Sequence, residues 1–257
     1  MKKITELFER EKANLAYLTV GDGGVERTIE VALALIKGGV NLLELGVPFS
    51  DPIADGPVIQ QASARALQAG VTMCEVLYVA SEIRKKSDIP IILFSYYNPI
   101  LAAWNQPNVD FLVEAKRAGV DGILIVDLPW EESHELRVAM AMYDLAFISV
   151  ITPSTPLERI MAIDQEAHGF LYYACRKGTT GIQSGLPTDF SKKIKKIKSC
   201  VHLPMVVGFG ISDALTAQRV LEEADGVVVG SFFVQAVAKG KTPNKLTLLA
   251  KKIFKTF

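Results

Sequence analysis

Eight short apolar runs alternate with longer amphipathic stretches along this chain, and that alternation constrains its fold more than any other feature. The runs cover residues 15–20, 41–47, 90–96, 121–127, 145–151, 169–174, 204–209 and 225–230. Each is apolar at nearly every position and rich in β-branched or aromatic residues, as in parallel strands covered on both faces. Helical periodicity fills the intervals, for example over 26–39, 109–119, 131–143 and 212–224. Gly39 and Gly119 stand where helix-ending glycines are expected. Ser212 is placed as the N-cap of the last of these helices. Eight strands and about eight helices in 257 residues predict a single (β/α)8 barrel domain spanning 1–257. An extra helix is expected at the N-terminus, with long loops after strands 2 and 6. A doubly wound open sheet would carry a Gly-x-Gly-x-x-Gly turn after its first strand, and VGDGGVE over 20–26 does not fit that pattern.

Composition narrows the function classes. Lys plus Arg and Asp plus Glu number 28 each, so no global charge draws the chain toward nucleic acid. The lysine-rich run KKIKKIK over 192–198 reads as the wet face of an amphipathic helix packed through Ile194 and Ile197. Cys74, Cys175 and Cys200 are odd in number and far apart, which argues against a disulfide framework or a zinc site and for a reducing cytoplasm. The N-terminal MKKITELFEREK has no signal-peptide apolar core, and no apolar run approaches the ~18 residues of a membrane span.

Barrel chemistry sits at the C-terminal ends of the strands. His134 falls in a helix, while His168 and His202 precede strands, so histidine catalysis and a histidine-held metal are disfavoured. No lysine lies within a strand run to form a Schiff base. Carboxylates do meet the requirement. Glu44 shares a strand face with Leu42 and Gly46, opposite Leu43 and Leu45. Aimed at the barrel mouth, it would reach substrate, with its pKa raised toward neutrality by burial. Asp55 follows in a stiff Ala-Asp-Gly-Pro loop, Asp127 ends the fourth run, and Asp22 reads as a turn residue. Glycine-rich turns follow the seventh and eighth runs, GFGIS over 208–212 and Gly230-Ser231. Those are the loops where barrels build phosphate sites, with backbone N–H groups free to approach the oxygens. RKGTTG over 176–181 supplies a possible lid. A phosphate anchor beside a carboxylate acid/base fits sugar-phosphate isomerases and carbon–carbon lyases alike.

The run LELGVPFSDPIADGP over 43–57 resembles the signature of the tryptophan synthase α subunit family. RKGTTG, GFGIS and GILIVDLPWEES (122–133) agree with it in order and spacing, so the resemblance covers the whole chain. It implies a (β/α)8 fold and cofactor-free, retro-aldol cleavage of indole-3-glycerol phosphate to indole and glyceraldehyde 3-phosphate. It makes Glu44 the acid/base, Asp55 the partner of the indole N–H, and Tyr172 their neighbour in the pocket. Gly181, Gly210, Gly230 and Ser231 would hold the phosphate; Tyr17, Ile59, Phe94, Val126 and Phe209 would surround the indole. Thr180 would bond to Asp55 on lid closure, and the loop bearing Asp51 would face a pyridoxal-phosphate-dependent β subunit in an αββα complex. Familiar members have leucine and alanine in place of Phe94 and Val126, and serine and valine in place of Cys175 and Thr179. The bulkier walls motivate an alternative, a subunit that activates its β partner but cleaves substrate poorly. A phosphosugar isomerase would explain the phosphate loops but not Asp51 and Asp55.

Overall fold

The computed structural model describes residues 1–105, 110–175, 186–208 and 210–254. Eight strands form a closed parallel barrel in sequence order: β1 (Ala13–Thr19), β2 (Leu42–Gly46), β3 (Ile91–Ser95), β4 (Gly122–Ile125), β5 (Ala146–Ile151), β6 (Leu171–Ala174), β7 (Met205–Gly208) and β8 (Gly226–Val229). The seam closes with Leu15 opposite Val228 across β1 and β8. Seven of the expected runs contain their strands, which are shorter than the runs; β1 instead begins two residues before its run of 15–20 and ends one residue short of the run's end.

Side-chain alternation along these strands divides the protein into two apolar clusters. Leu43, Leu45, Ile91, Leu93, Ile123 and Ile125 join the shell between barrel and helices. Leu15, Tyr17, Leu42, Ile92, Phe94, Leu124, Ile148, Tyr172 and Val206 fill the barrel interior. The second set keeps register from strand to strand, as in Glu44 opposite Ile92 and Val150 opposite Tyr172.

Twelve α-helices lie among the described residues: α1 (Lys2–Arg10), α2 (Val25–Lys37), α3 (Pro57–Gln68), α4 (Met73–Arg84), α5 (Tyr97–Trp104), α6 (Phe111–Arg117), α7 (His134–Met142), α8 (Leu157–Glu166), α9 (Phe190–Lys198), α10 (Ala214–Glu223), α11 (Ser231–Ala238) and α12 (Pro243–Ile253). This exceeds the expected eight because β2–β3 and β3–β4 each hold two helices, two more follow β8, and α1 precedes the barrel. Gly39 and Gly119 do close α2 and α6, at φ of 104° and 86°, where a side chain would be strained. The lysine-rich α9 buries Ile194 and Ile197, as its spacing requires.

Two local expectations are corrected. The stretch 131–143 is not one helix: a 3-10 turn at Trp130–Glu132 precedes α7. Ser133 Oγ donates back to the Trp130 carbonyl (2.7 Å), a bond that competes with continuous helix. The N-cap of α10 is Asp213 rather than Ser212. Its carboxylate accepts from the Thr216 N–H at 2.9 Å and suits the positive end of the helix dipole.

Helix α1 closes the bottom of the barrel. Its Ile4 and Leu7 are buried in the interior cluster with Ala13, Leu42 and Phe170, and the Phe8 and Phe170 rings lie 5.7 Å apart. Each buried side chain of this size contributes about 1.5–3 kcal/mol by leaving water. Leu7→Ala is expected to cost about 2–5 kcal/mol through lost burial and a residual cavity. Urea unfolding checks this as a lower midpoint at unchanged slope.

Candidate active site

Glu44 projects from the middle of β2 into the barrel and is 1% exposed. Its Oε1 has no hydrogen-bond partner among the described residues. Burial, and next the charge of Asp55, push its carboxyl up to about 8, so near neutral pH it holds its proton.

Asp55 ends the connection between β2 and α3 and is 2% exposed. Pro48, Pro52 and Pro57 stiffen that connection. Backbone bonds from Ile53 N to Asp51 O (2.9 Å) and from Asp55 N to Pro52 O (3.0 Å) tighten it. The Tyr96 hydroxyl donates to Asp55 Oδ2 at 3.0 Å and accepts from the Ala54 N–H at 3.0 Å. Phe49 packs on the Tyr96 ring, with centroids 5.1 Å apart. One phenol thus holds both the loop backbone and the carboxylate. Sequence reasoning missed Tyr96, although it closes the 90–96 run at the catalytic end of a strand and carries a hydroxyl.

Two tyrosines complete the floor, and two glycines make room for them. A Cβ on Gly46 would lie 2.1 Å from the Tyr17 hydroxyl oxygen, and one on Gly208 would lie 2.2 Å from that of Tyr172. Any larger residue at either strand end would displace a phenol. Tyr17 meets Phe94 edge-on at 5.3 Å, and its hydroxyl lies 3.3 Å from Thr19 Oγ1. Burial raises both phenols well above their usual range. The charge of Asp55 is the next cause for Tyr17, and that of Glu44 for Tyr172. Both phenols are therefore neutral donors at any ordinary pH.

Tyr17, Ile59, Phe94 and Tyr172 fall in one cluster with Val126 packed against it, so these predicted wall residues do converge. Gly230 caps α11, and Ser231 opens it in a buried position. A Cβ on Gly230 would lie 3.4 Å from that of Tyr17. The first turn of α11 therefore adjoins the tyrosine wall and presents N–H groups suited to an anion. Gly210 takes φ of 75° just beyond β7. Gly181, Thr180 and Phe209 lie outside the described residues.

Three other aspartates sit apart from this pocket. Asp51 is exposed on the outer side of the loop, bonded by the Ser50 hydroxyl. Asp127 is exposed and accepts from the Tyr97 N–H at 2.7 Å, a positioning bond at the start of α5. Asp22 does sit in a turn, and it is also buried and paired with Arg65 of α3 at 2.7 and 2.9 Å. That pair ties the β1 loop to the helix following Asp55.

Residues 4–255 match the family model described as tryptophan synthase alpha chain. A tryptophan synthase alpha chain from Coxiella burnetii (strain CbuK_Q154) is 50% identical, covering 98% of this chain and 97% of its own. One from Chlamydia felis is 45% identical, covering 98% of each. A solved structure from Aquifex aeolicus VF5 superposes with a TM-score of 0.88 at 36% identity, covering 99% of this chain and 96% of the other. A chain from the tryptophan synthase a2b2 complex of Pyrococcus furiosus gives 0.85 at 36%, covering 95% and 97%. The chain belongs to the tryptophan synthase alpha chain family.

Proposed function

We propose that Glu44 and Asp55 carry out the reaction of this family, the cleavage of indole-3-glycerol phosphate to indole and glyceraldehyde 3-phosphate. The observation that carries the proposal is the buried Glu44 carboxyl, raised to about 8, with one oxygen unpartnered beside a second buried carboxylate. An acid poised near neutrality can give and take a proton in one turnover. Protonated Glu44 delivers its proton to indole C3. Asp55 accepts from the indole N–H and offsets the positive charge that develops there. The Glu44 carboxylate then removes the proton of the C3′ hydroxyl. The C3–C3′ bond breaks, its electron pair restores the indole, and the aldehyde forms at C3′. Glu44 ends protonated, as it began, so no external oxidant or base is consumed.

Around that pair, Tyr172, Tyr17, Ile59, Phe94, Val126 and Phe209 form the indole pocket. Gly181, Gly210, Gly230 and Ser231 receive the phosphate, and Thr180 reaches Asp55 when the 176–181 segment closes. Substrate phosphate at the first turn of α11 complements the helix dipole. The catalysis needs no cofactor in this chain, and pyridoxal phosphate belongs to the partner. That partner is a tryptophan synthase β subunit, met through Asp51 and the neighbouring Ile53, which is 77% exposed. An isoleucine so exposed on a stiff loop suits a surface that another chain covers. Residues 1–257 act as one domain, since α1 packs into the same interior cluster that lines the pocket. Localisation is placed in the cytoplasm, whose reducing conditions suit three cysteines far apart in the sequence; among the described residues no helix is long and apolar enough to cross a membrane.

Glu44→Gln and Asp55→Asn should each remove nearly all indole release while the fold stays intact. Indole formation, measured with and without the β partner, tests this. Turnover near wild type in Glu44→Gln refutes the assignment, and a rise in β activity alone supports the activating-subunit alternative. Tyr96→Phe deletes the phenol that donates to Asp55. It should lower kcat about tenfold, in line with the ~1–3 kcal/mol cost of removing a hydrogen bond to a buried charge. Far-UV circular dichroism should be unchanged.

The raised carboxyl also makes a stability prediction. Between the unfolded value near 4.5 and the folded value of about 8, the native state holds the extra proton. Stability contributed by protonated Glu44 is thus complete below about pH 4.5 and declines as pH rises through 8. Glu44→Gln escapes that decline. Urea unfolding should find the variant more stable than wild type at pH 9, by a few kcal/mol in order of magnitude, with the difference shrinking toward pH 4.

A further inference from the structure

A second cavity, of about 340 Å³, lies on the opposite side of the β4–β5 wall from the barrel interior. Outward-facing Phe147, Ile163 of α8 and Trp130 form its apolar sides. Ser149 also lines it, from a strand position whose neighbours Phe147 and Ile151 belong to the apolar shell. Ser149 is 2% exposed, and its Oγ has no hydrogen-bond partner among the described residues. A hydroxyl left unpaired in an apolar shell destabilises the fold, and an apolar residue of similar size would avoid the loss. The volume is at the lower end of the range of small-molecule pockets, roughly 300–1,000 Å³.

We propose that this cavity binds a flat, uncharged aromatic molecule carrying one N–H or O–H, which pairs with Ser149 Oγ. Charge at the site is already committed. Arg159 on the rim makes a two-pronged bond to Glu131 at 2.8 and 2.7 Å, and Asp127 accepts from Tyr97 N. No lining cation is left to select an anion. The aromatic preference comes from Trp130 and Phe147, whose ring centroids stand 6.3 Å apart at 65°. The Arg137 guanidinium lies 3.5 Å from the Trp130 ring centroid and holds that wall in place. Val126 and Val150 border the cavity and also pack against the interior cluster, so an occupant would press on the proposed indole pocket from outside. The site does not depend on the roles given to Glu44 and Asp55.

The chain has two tryptophans, Trp104 and Trp130, so fluorotryptophan labelling gives two fluorine resonances, assigned with Trp130→Phe. Phenol is the probe, and anisole, which lacks the O–H, is its control. Phenol should move the Trp130 resonance saturably, and anisole should bind about five- to tenfold more weakly. Ser149→Leu fills the cavity and should abolish the Trp130 shift, with the Trp104 resonance and cooperative urea unfolding retained. If that variant does not fold, Ser149→Ala decides, because it keeps the space and should bring phenol to the affinity of anisole. No saturable shift, a shift that survives Ser149→Leu, or equal affinities for phenol and anisole in the wild type each overturn the proposal.

Discussion

The alternation of side chains along a closed parallel barrel governs everything else in this protein. Once β2 is one of eight staves, Leu43 and Leu45 must join the helical shell, and Glu44 must enter the interior. A one-residue slip would place the carboxylate among aliphatic side chains and a leucine in the pocket. The register of β2 with β1 and β3 fixes the choice, setting Glu44 beside Tyr17 on one side and Ile92 on the other. From that placement follow its burial, its raised pKa and its suitability for proton transfer.

The environment of the carboxylates is asymmetric, and the asymmetry suits two different tasks. Asp55 is anchored by Tyr96 and by a loop whose prolines and internal bonds restrict it. Glu44 has an oxygen with no such anchor among the described residues. Two buried acids in one pocket resist simultaneous ionisation, and Glu44 is the one whose carboxyl burial and the neighbouring Asp55 push up. Gly46 and Gly208 contribute by absence: each leaves the volume that a tyrosine hydroxyl occupies. Their role is invisible to any reading that looks only for functional groups.

Much of this was legible from local pattern. The eight apolar runs located all eight strands, because both-face burial writes continuous β-rich segments into a sequence. Glu44 stood out because a charge inside such a run is costly without a purpose. Helix boundaries were less legible. Ser133 and Asp213 redirect the chain through side-chain bonds to nearby backbone, and a hydrophobic period does not record those. Asp22 does sit in the expected turn, but its pairing was not legible, because its partner, Arg65, lies 43 positions away.

The amino-acid sequence by itself determined the strand and helix periods, the barrel class, the family and the identity of the carboxylates, since each of these is written in residues close together along the chain. The tertiary structure alone decided which groups meet. Tyr96 reaches Asp55 across 41 residues, Gly208 yields to Tyr172, and Ser149 is left with an unanswered hydroxyl beside a cavity. The physical reason is that hydrogen bonding, desolvation and steric fit depend on distances of a few ångströms between segments that chain order leaves far apart. Barrel closure sets those distances.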